Sequence, residues 1–284
     1  MSKLTPTLSA GLYLVSTPIG TASDITLRAL DILANADVLA AEDTRNTRKL
    51  MDIHGVALNK RPLLPYHDHN GPAQRPRILA AIKDGKSVAY VSDAGTPLIA
   101  DPGYRLAADA ISEGLSVTSA PGASALLAAL AVAGLPTDRF LFAGFPPVKS
   151  VAKAKFLTEF AAVPATLVFY ESPRRLADCL TAMVAAYGGA RRVAVCRELT
   201  KKFEEVRRGT LAELAEQYGQ EAAPKGEVVV VVGPPLNETA SEQDIDTALR
   251  SALKTQSVKD AAKEVAEALD LPRKQLYARA LELK

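Results

Sequence analysis

Several residue types are scarce or absent in this 284-residue chain, which has no tryptophan, two cysteines and three histidines. Two cysteines, Cys179 and Cys196, are too few for a disulfide framework, and we expect both to be buried free thiols. No apolar run reaches the roughly 18 residues of a membrane span, and the N-terminal residues lack the apolar core of a secretory signal. We therefore expect a cytoplasmic protein that makes no membrane contact.

Common nucleotide-binding and catalytic motifs are also missing. The segment Thr17-Pro18-Ile19-Gly20 lacks the G-x-G-x-x-G spacing of a dinucleotide fingerprint, and no G-x-x-x-x-G-K-[ST] loop occurs. No nucleophile elbow accompanies the histidines, which disfavours a hydrolytic triad. The cluster His67-Asp68-His69 has no further Cys or His ligands of the kind that a zinc site needs. We therefore predict that the protein binds no metal.

Charge is nearly balanced, with a formal net charge of +2, apart from one basic segment. Residues 191–208 contain seven basic and three acidic side chains. The low net charge argues against a protein that coats nucleic acid over its whole surface. The basic segment still permits a local contact with a polyanion.

Two successive loops of small residues stand out along the chain. The apolar strands predicted at Ser87–Val91 and Ser116–Ser119 run into Ser92-Asp93-Ala94-Gly95-Thr96-Pro97 and Pro121-Gly122-Ala123-Ser124-Ala125, respectively. Ligands of open α/β sheets bind beyond the carboxyl ends of strands, and small residues let backbone groups approach a ligand. These loops predict two walls of a small-molecule site. The alternative is a pair of tight turns in an ordinary α/β domain.

The order of predicted elements indicates an α/β fold. Strands and helices alternate up to Ser119, which predicts a mostly parallel sheet; Ile25, Leu27, Leu30 and Leu33 predict the buried face of the first helix. Closely spaced strands between Arg192 and Arg208 predict antiparallel pairing and hence a mixed second sheet. We expect α/β domains at residues 11–120 and 121–238, followed by a helical, helix-turn-helix-like module at residues 241–284.

Ordered motifs carry a family resemblance over residues 12–232. They are LYLVSTPIG, AAEDTRNTRKLM, VSDAGTPLIADPGYRL, PGASALLAALAVAGLP, FYESPRRL, VCRELTKKFEEVRRGTL and KGEVVVVV. The chain resembles the tetrapyrrole (corrin/porphyrin) methylase superfamily, and within it the members that modify ribosomal RNA. One departure is Arg174, which stands where those members usually have His but keeps the positive character.

The resemblance implies two α/β domains of the tetrapyrrole methylase type with an interdomain cleft that holds S-adenosylmethionine. It implies 2′-O-methylation of a cytidine ribose in 16S rRNA of the small ribosomal subunit, and a homodimer. A methylase that acts on a tetrapyrrole such as a precorrin is the main alternative. A non-catalytic ribosome-binding protein is another alternative, and it predicts no binding of S-adenosylmethionine.

Site residues follow from the matched motifs. The resemblance places the cofactor against Pro18, Asp93, Ala94, Gly95, Thr96, Leu98, Ile99, Ser124, Ala125, Tyr170, Glu171, Leu199 and Thr200. The basic loops suggest RNA contacts at Arg45, Arg48, Lys49, Arg174, Arg175, Lys201, Lys202, Arg207 and Arg208. A carboxylate or a neutral lysine could accept the proton of the ribose hydroxyl, and the candidates left open are Asp43, Glu171, Glu198 and Lys201.

Overall fold

The computed structural model describes residues 8–67, 70–99, 103–236, 242–269 and 271–283. The chain forms one compact unit that ends at Pro234 and a second that begins at Pro235. Among the residues described, no helix is long and apolar enough to cross a membrane.

The first sheet has five parallel strands in the spatial order β3-β2-β4-β1-β5. They are β1 (Gly11–Val15), β2 (Val38–Ala41), β3 (Leu63–Pro65), β4 (Ser87–Val91) and β5 (Val117–Ala120). Strands β2 and β4 are buried along their whole length, as expected of a parallel sheet that is covered on both faces. The predicted parallel sheet is confirmed, and all its carboxyl ends lie at one edge.

Five helices follow these strands in the chain. They are α1 (Leu27–Asn35), α2 (Thr44–Ile53), α3 (Gly71–Lys83), α4 (Tyr104–Ser112) and α5 (Ala125–Ala133). The buried face predicted for α1 is wrong at Leu27, which is 81% exposed. The helix begins one residue after its N-cap, Thr26, whose side chain accepts the N–H of Ala29. That start places Ala29, Ile32 and Leu33 on the buried face.

The second sheet is mixed, as predicted, in the order β6-β7-β10-β8-β9. Its strands are β6 (Phe140–Gly144), β7 (Thr166–Glu171), β8 (Arg192–Arg197), β9 (Glu205–Thr210) and β10 (Val228–Val232), and its helices are α6 (Ser150–Glu159), α7 (Leu176–Tyr187) and α8 (Leu211–Gln220). Strands β6 and β7 are parallel, whereas β7, β10, β8 and β9 pair antiparallel. Strand β10 therefore begins at the edge where β7 and β8 end.

The five valines of β10 explain why this strand occupies the centre of the sheet. Alternate side chains point to opposite faces, so Val228, Val230 and Val232 enter one core cluster and Val229 and Val231 enter another. The second cluster includes α5, whose Leu126 and Leu130 cover that face, and Ile19 from the turn after β1. Helix α5 and Ile19, which follow strands of the first sheet, therefore pack on one face of the second sheet.

The C-terminal unit contains three helices: α9 (Glu242–Ala252), α10 (Val258–Leu269) and α11 (Arg273–Glu282). The predicted break at Leu271-Pro272 separates α10 from α11, where Pro272 is the N-cap. Helix α9 is an addition to the two helices that the sequence suggested. Arg279 donates to both carboxylate oxygens of Asp246 at 2.7 Å and ties α11 to α9. The predicted fold class, α/β with a helical module, is confirmed.

Candidate active site

The loops that follow β1 and β4 are joined at the carboxyl edge of the first sheet. Thr17 and Gly95 exchange two backbone hydrogen bonds of 3.0 Å. The hydroxyl of Ser92 donates to the Gly95 carbonyl at 2.7 Å. Gly95 has a φ of +81°, and a Cβ there would lie 3.2 Å from Ile19. A side chain at this position would be strained and would press on Ile19, so glycine suits the joint between the two loops.

A cleft of about 450 Å³ opens beside these loops. Its walls are Ile19, Glu42, Asp93, Ala94, Gly95, Thr96, Ile99, Ser124, Ala125, Phe145, Tyr170, Glu171, Ser172, Pro173, Gly226, Glu227, Val228 and Val229. Both sheets contribute to these walls. The volume falls in the usual range for a small-molecule site.

Nine of the predicted cofactor residues line this cleft: Asp93, Ala94, Gly95, Thr96, Ile99, Ser124, Ala125, Tyr170 and Glu171. The other four lie elsewhere. Pro18 lines a neighbouring cavity, and Leu98 packs on the core of the first sheet. Leu199 is buried in the apolar cluster between α5 and the second sheet, and Thr200 is hydrogen-bonded to Thr21.

The segment from Gly226 to Val229 contributes four wall residues that were not predicted from the sequence. A search for loops after strands cannot find it, because these residues open β10 instead of following it. Antiparallel pairing with β7 and β8 brings this start to the functional edge. The KGEVVVVV motif was the available signal, since it combines a glycine and a carboxylate just before a buried strand.

The chemistry of the walls fits S-adenosylmethionine, the cofactor that the resemblance implies. Helix α5 starts at the cleft, and its N-cap, Ser124, makes no side-chain capping hydrogen bond. The first N–H groups of a helix lack intrahelical partners and suit a carboxylate such as that of the methionine part. Four carboxylates of the wall suit the positive sulfonium and ammonium groups: Glu42, Asp93, Glu171 and Glu227.

Apolar and aromatic wall residues suit the adenine and alkyl parts of the same cofactor. The rings of Phe145 and Tyr170 meet edge to face with their centroids 5.6 Å apart. Ile99 and Val229 add aliphatic surface. Aromatic faces also attract cations that have lost their hydration, so this wall is compatible with a sulfonium.

Glu171 ends β7 with a side chain that is fully buried and paired. Arg175 donates to its two carboxylate oxygens at 2.7 and 2.9 Å, and the N–H of Ser172 donates to it at 2.6 Å. The hydrogen bond to Glu171 raises the pKa of Arg175. The Nη2 of Arg175 also donates to the carbonyl of Pro146 at 2.7 Å, which ties Arg175 to the loop after β6. This pair shapes the cleft and occupies Arg175.

A second cavity of about 340 Å³ adjoins the cleft. Its walls are Thr17, Pro18, Ile19, Gly20, Ala22, Asn46, Thr47, Lys49, Leu50, Ile53, Ser92, Asp93, Ala94, Lys201 and Glu227. Four residues line both spaces: Ile19, Asp93, Ala94 and Glu227. The two cavities therefore share a wall that carries two carboxylates.

Lys201 reaches this shared wall as part of a charged triad. Its Nζ donates to Glu198 at 2.8 Å and to Glu227 at 2.9 Å. Burial lowers the pKa of Lys201, but these two hydrogen bonds outweigh burial and leave the pKa above its ordinary value. The hydrogen bond from Lys201 lowers the pKa of Glu198. Lys201 is therefore a cation and Glu198 a paired anion at neutral pH.

Asp43 and Asp93 are linked at the start of α2. Asp43 caps this helix and accepts the N–H of Arg45 at 2.8 Å and its Nη2 at 2.6 Å. The hydrogen bond from the Arg45 side chain lowers the pKa of Asp43 to about 2. Asp93 in turn accepts the N–H of Asp43 at 2.9 Å through Oδ1. Asp43 is thus held as a structural anion, and Asp93 faces both cavities.

The predicted RNA-contact residues divide into accessible and engaged groups. Lys49 and Lys201 both line the second cavity. The exposed residues among the rest are Arg45, Arg48, Arg174, Lys202 and Arg208, of which Arg45 is ion-paired with Asp43. The basic side chains at these positions are accessible to an anionic partner.

Arg207 and Arg208, on the edge strand β9, make contacts within the fold. Arg207 donates to Glu205 at 2.9 Å and lies over the ring of Tyr218 with its guanidinium carbon 4.9 Å from the centroid. The Nε of Arg208 donates at 3.2 Å to two carbonyl groups in the last turn of α5. These contacts hold β9 against α5 and α8.

Two further sequence expectations concern metals and thiols. In the described ranges no group of three or more His, Cys, Asp or Glu side chains could hold a metal ion; Asp68 and His69 lie outside those ranges. Cys179 and Cys196 are free and buried, as predicted. Burial raises the pKa of Cys179 to about 12 and that of Cys196 to about 11. Both thiols are therefore neutral core residues.

Family models and curated relatives match most of this chain. Residues 11–215 match the family model of the tetrapyrrole (corrin/porphyrin) methylases, and residues 239–284 match the RsmI C-terminal HTH domain. The chain is 52% identical to a protein of Mesorhizobium japonicum named ribosomal RNA small subunit methyltransferase I, covering 98% of this chain and 93% of that one. A protein of the same name from Erythrobacter litoralis is 50% identical and covers 98% and 96% of the two chains.

A solved structure shows the same fold at low identity. It is the uroporphyrin-III C-methyltransferase of Thermus thermophilus in complex with S-adenosylhomocysteine, with a TM-score of 0.53 and 21% identity. The match covers 78% of this chain and 96% of that one. The chain therefore belongs to the tetrapyrrole (corrin/porphyrin) methylase family of S-adenosylmethionine-dependent methyltransferases.

Proposed function

We propose that this methyltransferase acts on the 2′-hydroxyl of a cytidine in 16S rRNA of the small ribosomal subunit, with S-adenosylmethionine in the 450 Å³ cleft. The observation that carries the proposal is the second cavity, which shares Ile19, Asp93, Ala94 and Glu227 with the cleft. A ribose placed there faces the cofactor across a common wall. The relatives named ribosomal RNA small subunit methyltransferase I support the choice of substrate.

The size of the second cavity favours a nucleotide over a tetrapyrrole. At about 340 Å³ it is smaller than the cofactor cleft, whereas a four-ring macrocycle is larger than the cofactor. Lys49 and Lys201 line it, and cations suit the phosphates that flank a nucleotide. An RNA-modifying protein reads unpaired nucleotides that can be splayed into such a pocket.

Bound S-adenosylmethionine supplies an electrophilic methyl group on a sulfonium, so the protein has to orient the ribose and remove a proton. Holding two reactants in line can lower the barrier by about 7–11 kcal/mol. Ile19 and Ala94 line both spaces, so a ribose in the second cavity and the cofactor in the cleft would contact the same two residues. The residues of the second cavity hold the nucleotide in that direction.

Asp93 is the carboxylate best placed to accept the proton of the ribose hydroxyl. It lines both cavities, and no group of the described ranges hydrogen-bonds to its Oδ2, whereas Oδ1 accepts the N–H of Asp43. The four candidates predicted from the sequence, which did not include Asp93, are all in ion pairs: Asp43 with Arg45, Glu171 with Arg175, and Glu198 with Lys201. Glu227 is also paired with Lys201. The bound cofactor would supply the methyl group and would leave as a neutral thioether when its S–CH3 bond breaks, and the Asp93 carboxylate would accept the proton of the ribose hydroxyl.

Methylation of purified small subunits tests the proposal. Subunits from cells that lack this protein are incubated with tritiated S-adenosylmethionine, and the modified nucleotide is mapped by mass spectrometry. We expect label as 2′-O-methylcytidine in 16S rRNA. Label in a precorrin and none in rRNA would reverse the assignment, and absence of cofactor binding in calorimetry would favour the non-catalytic ribosome-binding alternative.

Two variants test Asp93. Asp93→Asn keeps an oxygen for the N–H of Asp43 but cannot take a proton, so we expect near-normal cofactor affinity and a kcat at least about 100-fold lower. Asp93→Ala also loses the contact with Asp43, and we expect weaker cofactor binding. An Asp93→Asn protein with wild-type kcat would exclude Asp93 as the base.

We also propose the homodimer that the resemblance implies. Sedimentation velocity of the full chain is expected to give twice the monomer mass. A single monomeric species at micromolar concentration would refute it.

A further inference from the structure

The turn between β8 and β9 presents an aromatic ring to solvent. Phe203 is 63% exposed, and the Nζ of Lys202 lies 5.5 Å from the centroid of its ring. An exposed apolar side chain alone needs no explanation. The cation beside the ring and the position of the turn distinguish this one.

Hydrogen bonds hold the turn in one shape. The N–H of Lys201 donates to the Glu198 carbonyl at 2.9 Å, and that of Glu204 donates to the Lys201 carbonyl at 3.1 Å. The N–H of Thr200 donates to the Glu204 carboxylate at 2.6 Å. Phe203 is therefore carried on an ordered turn, which reduces the entropy lost when a ligand stacks on its ring.

The turn lies next to the cavity assigned to the target nucleotide. Lys201 lines that cavity, and Phe203 follows it by two residues, so their Cα atoms are at most about 7 Å apart. Between them Lys202 is exposed. The second cavity at Lys201, the cation of Lys202 and the exposed ring of Phe203 therefore follow one another along the turn. The distance from the cavity to the ring is comparable with the spacing of two successive nucleotides.

We propose that Phe203 is a stacking platform for an unpaired RNA base adjacent to the target nucleotide, with Lys202 beside the intervening phosphate. Bases of single-stranded RNA stack on aromatic side chains whatever their sequence, and a neighbouring cation adds to the attraction. The inference rests on the proposed function and adds a residue that fixes the register of the RNA. Phe203 is a positioning residue, since it lies outside both cavities.

Three substitutions at this position isolate the stacking contribution. Phe203→Ala removes the ring, Phe203→Leu keeps apolar bulk without a π face, and Phe203→Tyr keeps the ring. With small subunits as substrate, we expect the KM for RNA to rise at least about fivefold for Phe203→Ala and to a similar degree for Phe203→Leu. Phe203→Tyr is expected to stay within twofold of wild type, and cofactor affinity is expected to be unchanged in all three.

Control measurements separate this contact from other roles. Phe140, another exposed phenylalanine at the start of β6, is changed to alanine and is expected to leave the KM for RNA unchanged. Lys202→Gln is expected to reduce the slope of log affinity against log salt by about 0.7, the release expected for one phosphate contact with a single strand. Thermal melting of the Phe203 variants is expected to match wild type.

The outcomes distinguish this inference from the proposed function. If the wild-type protein labels no rRNA, the proposed function fails. If wild type labels 16S rRNA and Phe203→Ala does so with an unchanged KM, stacking at Phe203 is excluded. If Phe203→Ala changes the sedimentation coefficient instead, the ring contacts a second copy of the chain and the proposal is overturned.

Discussion

Thr21 and Thr200 join the two sheets beside the active-site cleft. The N–H of Thr21 donates to Oγ1 of Thr200 at 3.2 Å, and the Thr21 hydroxyl donates to the Thr200 carbonyl. Thr21 follows β1, and Thr200 follows β8. Thr200 has a φ of +64°, which is rare for a β-branched residue. Such strain is found where the surrounding structure enforces it, often at functional sites.

We expect Thr200→Val to weaken cofactor binding. Valine keeps the shape of threonine but removes the acceptor for the Thr21 N–H, and a hydrogen bond of this kind contributes about 0.5–1.5 kcal/mol. Calorimetry is expected to show a Kd about 2- to 10-fold higher. Thr200→Ser keeps the hydroxyl and is the control, with a Kd close to wild type. Equal Kd values for Val and wild type would mean that this contact does not support the cleft.

Arg175→Ala is expected to destabilise the protein strongly. It leaves the Glu171 carboxylate buried without its ion-pair partner, and loss of one partner from a buried pair costs about 3–5 kcal/mol. The free energy of unfolding is measured by urea denaturation at pH 7. Arg174→Ala is the matched control, because that neighbour is exposed and its loss is expected to change stability by less than about 0.5 kcal/mol.

A second substitution in the same experiment tests whether the lost stability can be restored. Glu171→Gln in the Arg175→Ala background removes the uncompensated charge, so part of the lost stability is expected to return. If Arg175→Ala proves as mild as Arg174→Ala, the pair is not a structural element and Arg175 becomes available as an RNA contact.

Gly226→Ala is expected to disrupt the wall of the cofactor cleft next to Glu227. Gly226 has a φ of +97°, and a Cβ there would overlap the carboxyl group of Glu198, which pairs with Lys201. We expect a loss of about 1–2 kcal/mol of stability from the backbone conformation and weaker cofactor binding. Gly219 in α8 has open space at its Cβ position, so Gly219→Ala is expected to raise stability by up to about 1 kcal/mol. Similar changes in stability for Gly226→Ala and Gly219→Ala would mean that a Cβ at residue 226 does not overlap Glu198.

Stability is expected to fall as pH rises above about 9. An unfolded thiol ionises near pH 8.5, whereas the folded pKa values of Cys179 and Cys196 are about 12 and 11. At pH 10 the unfolded chain has lost protons that the folded chain keeps, so the free energy of unfolding decreases by about 1 kcal/mol per pH unit for each thiol. This contribution is complete below pH 8.5 and is lost as pH approaches the folded values.

Denaturation of wild type and of Cys179→Ala/Cys196→Ala at pH 8 and pH 10, with reductant present, isolates this effect. Tyrosines titrate in both proteins and cancel in the comparison. The double variant is expected to lose less stability between the two pH values. Identical losses would mean that the thiols are not protected from ionisation by the core.

Local sequence was sufficient to find the loops after β1, β4, β5 and β7, because each predicted strand ends at small or polar residues. Gly95 and Ser124 were recognised in this way. Leu27 was misplaced because the apolar spacing fitted a helix that starts earlier than the one capped by Thr26. The ion-pair partners of Arg175 and Arg207 could not be predicted, because the sequence around a basic residue does not show whether an acidic side chain already pairs with it.

The sequence by itself determined the α/β class, the mixed second sheet, the helical C-terminal module and the family, since strand and helix periodicity and ordered motifs are local properties. Only the tertiary structure decided which ionisable groups are available. Antiparallel pairing carries Gly226 and Glu227 to the carboxyl edge, ion pairs occupy the carboxylates of Glu171 and Glu198, and Asp93 lies where it lines both cavities. These outcomes depend on contacts between residues far apart in the chain, which no local pattern contains.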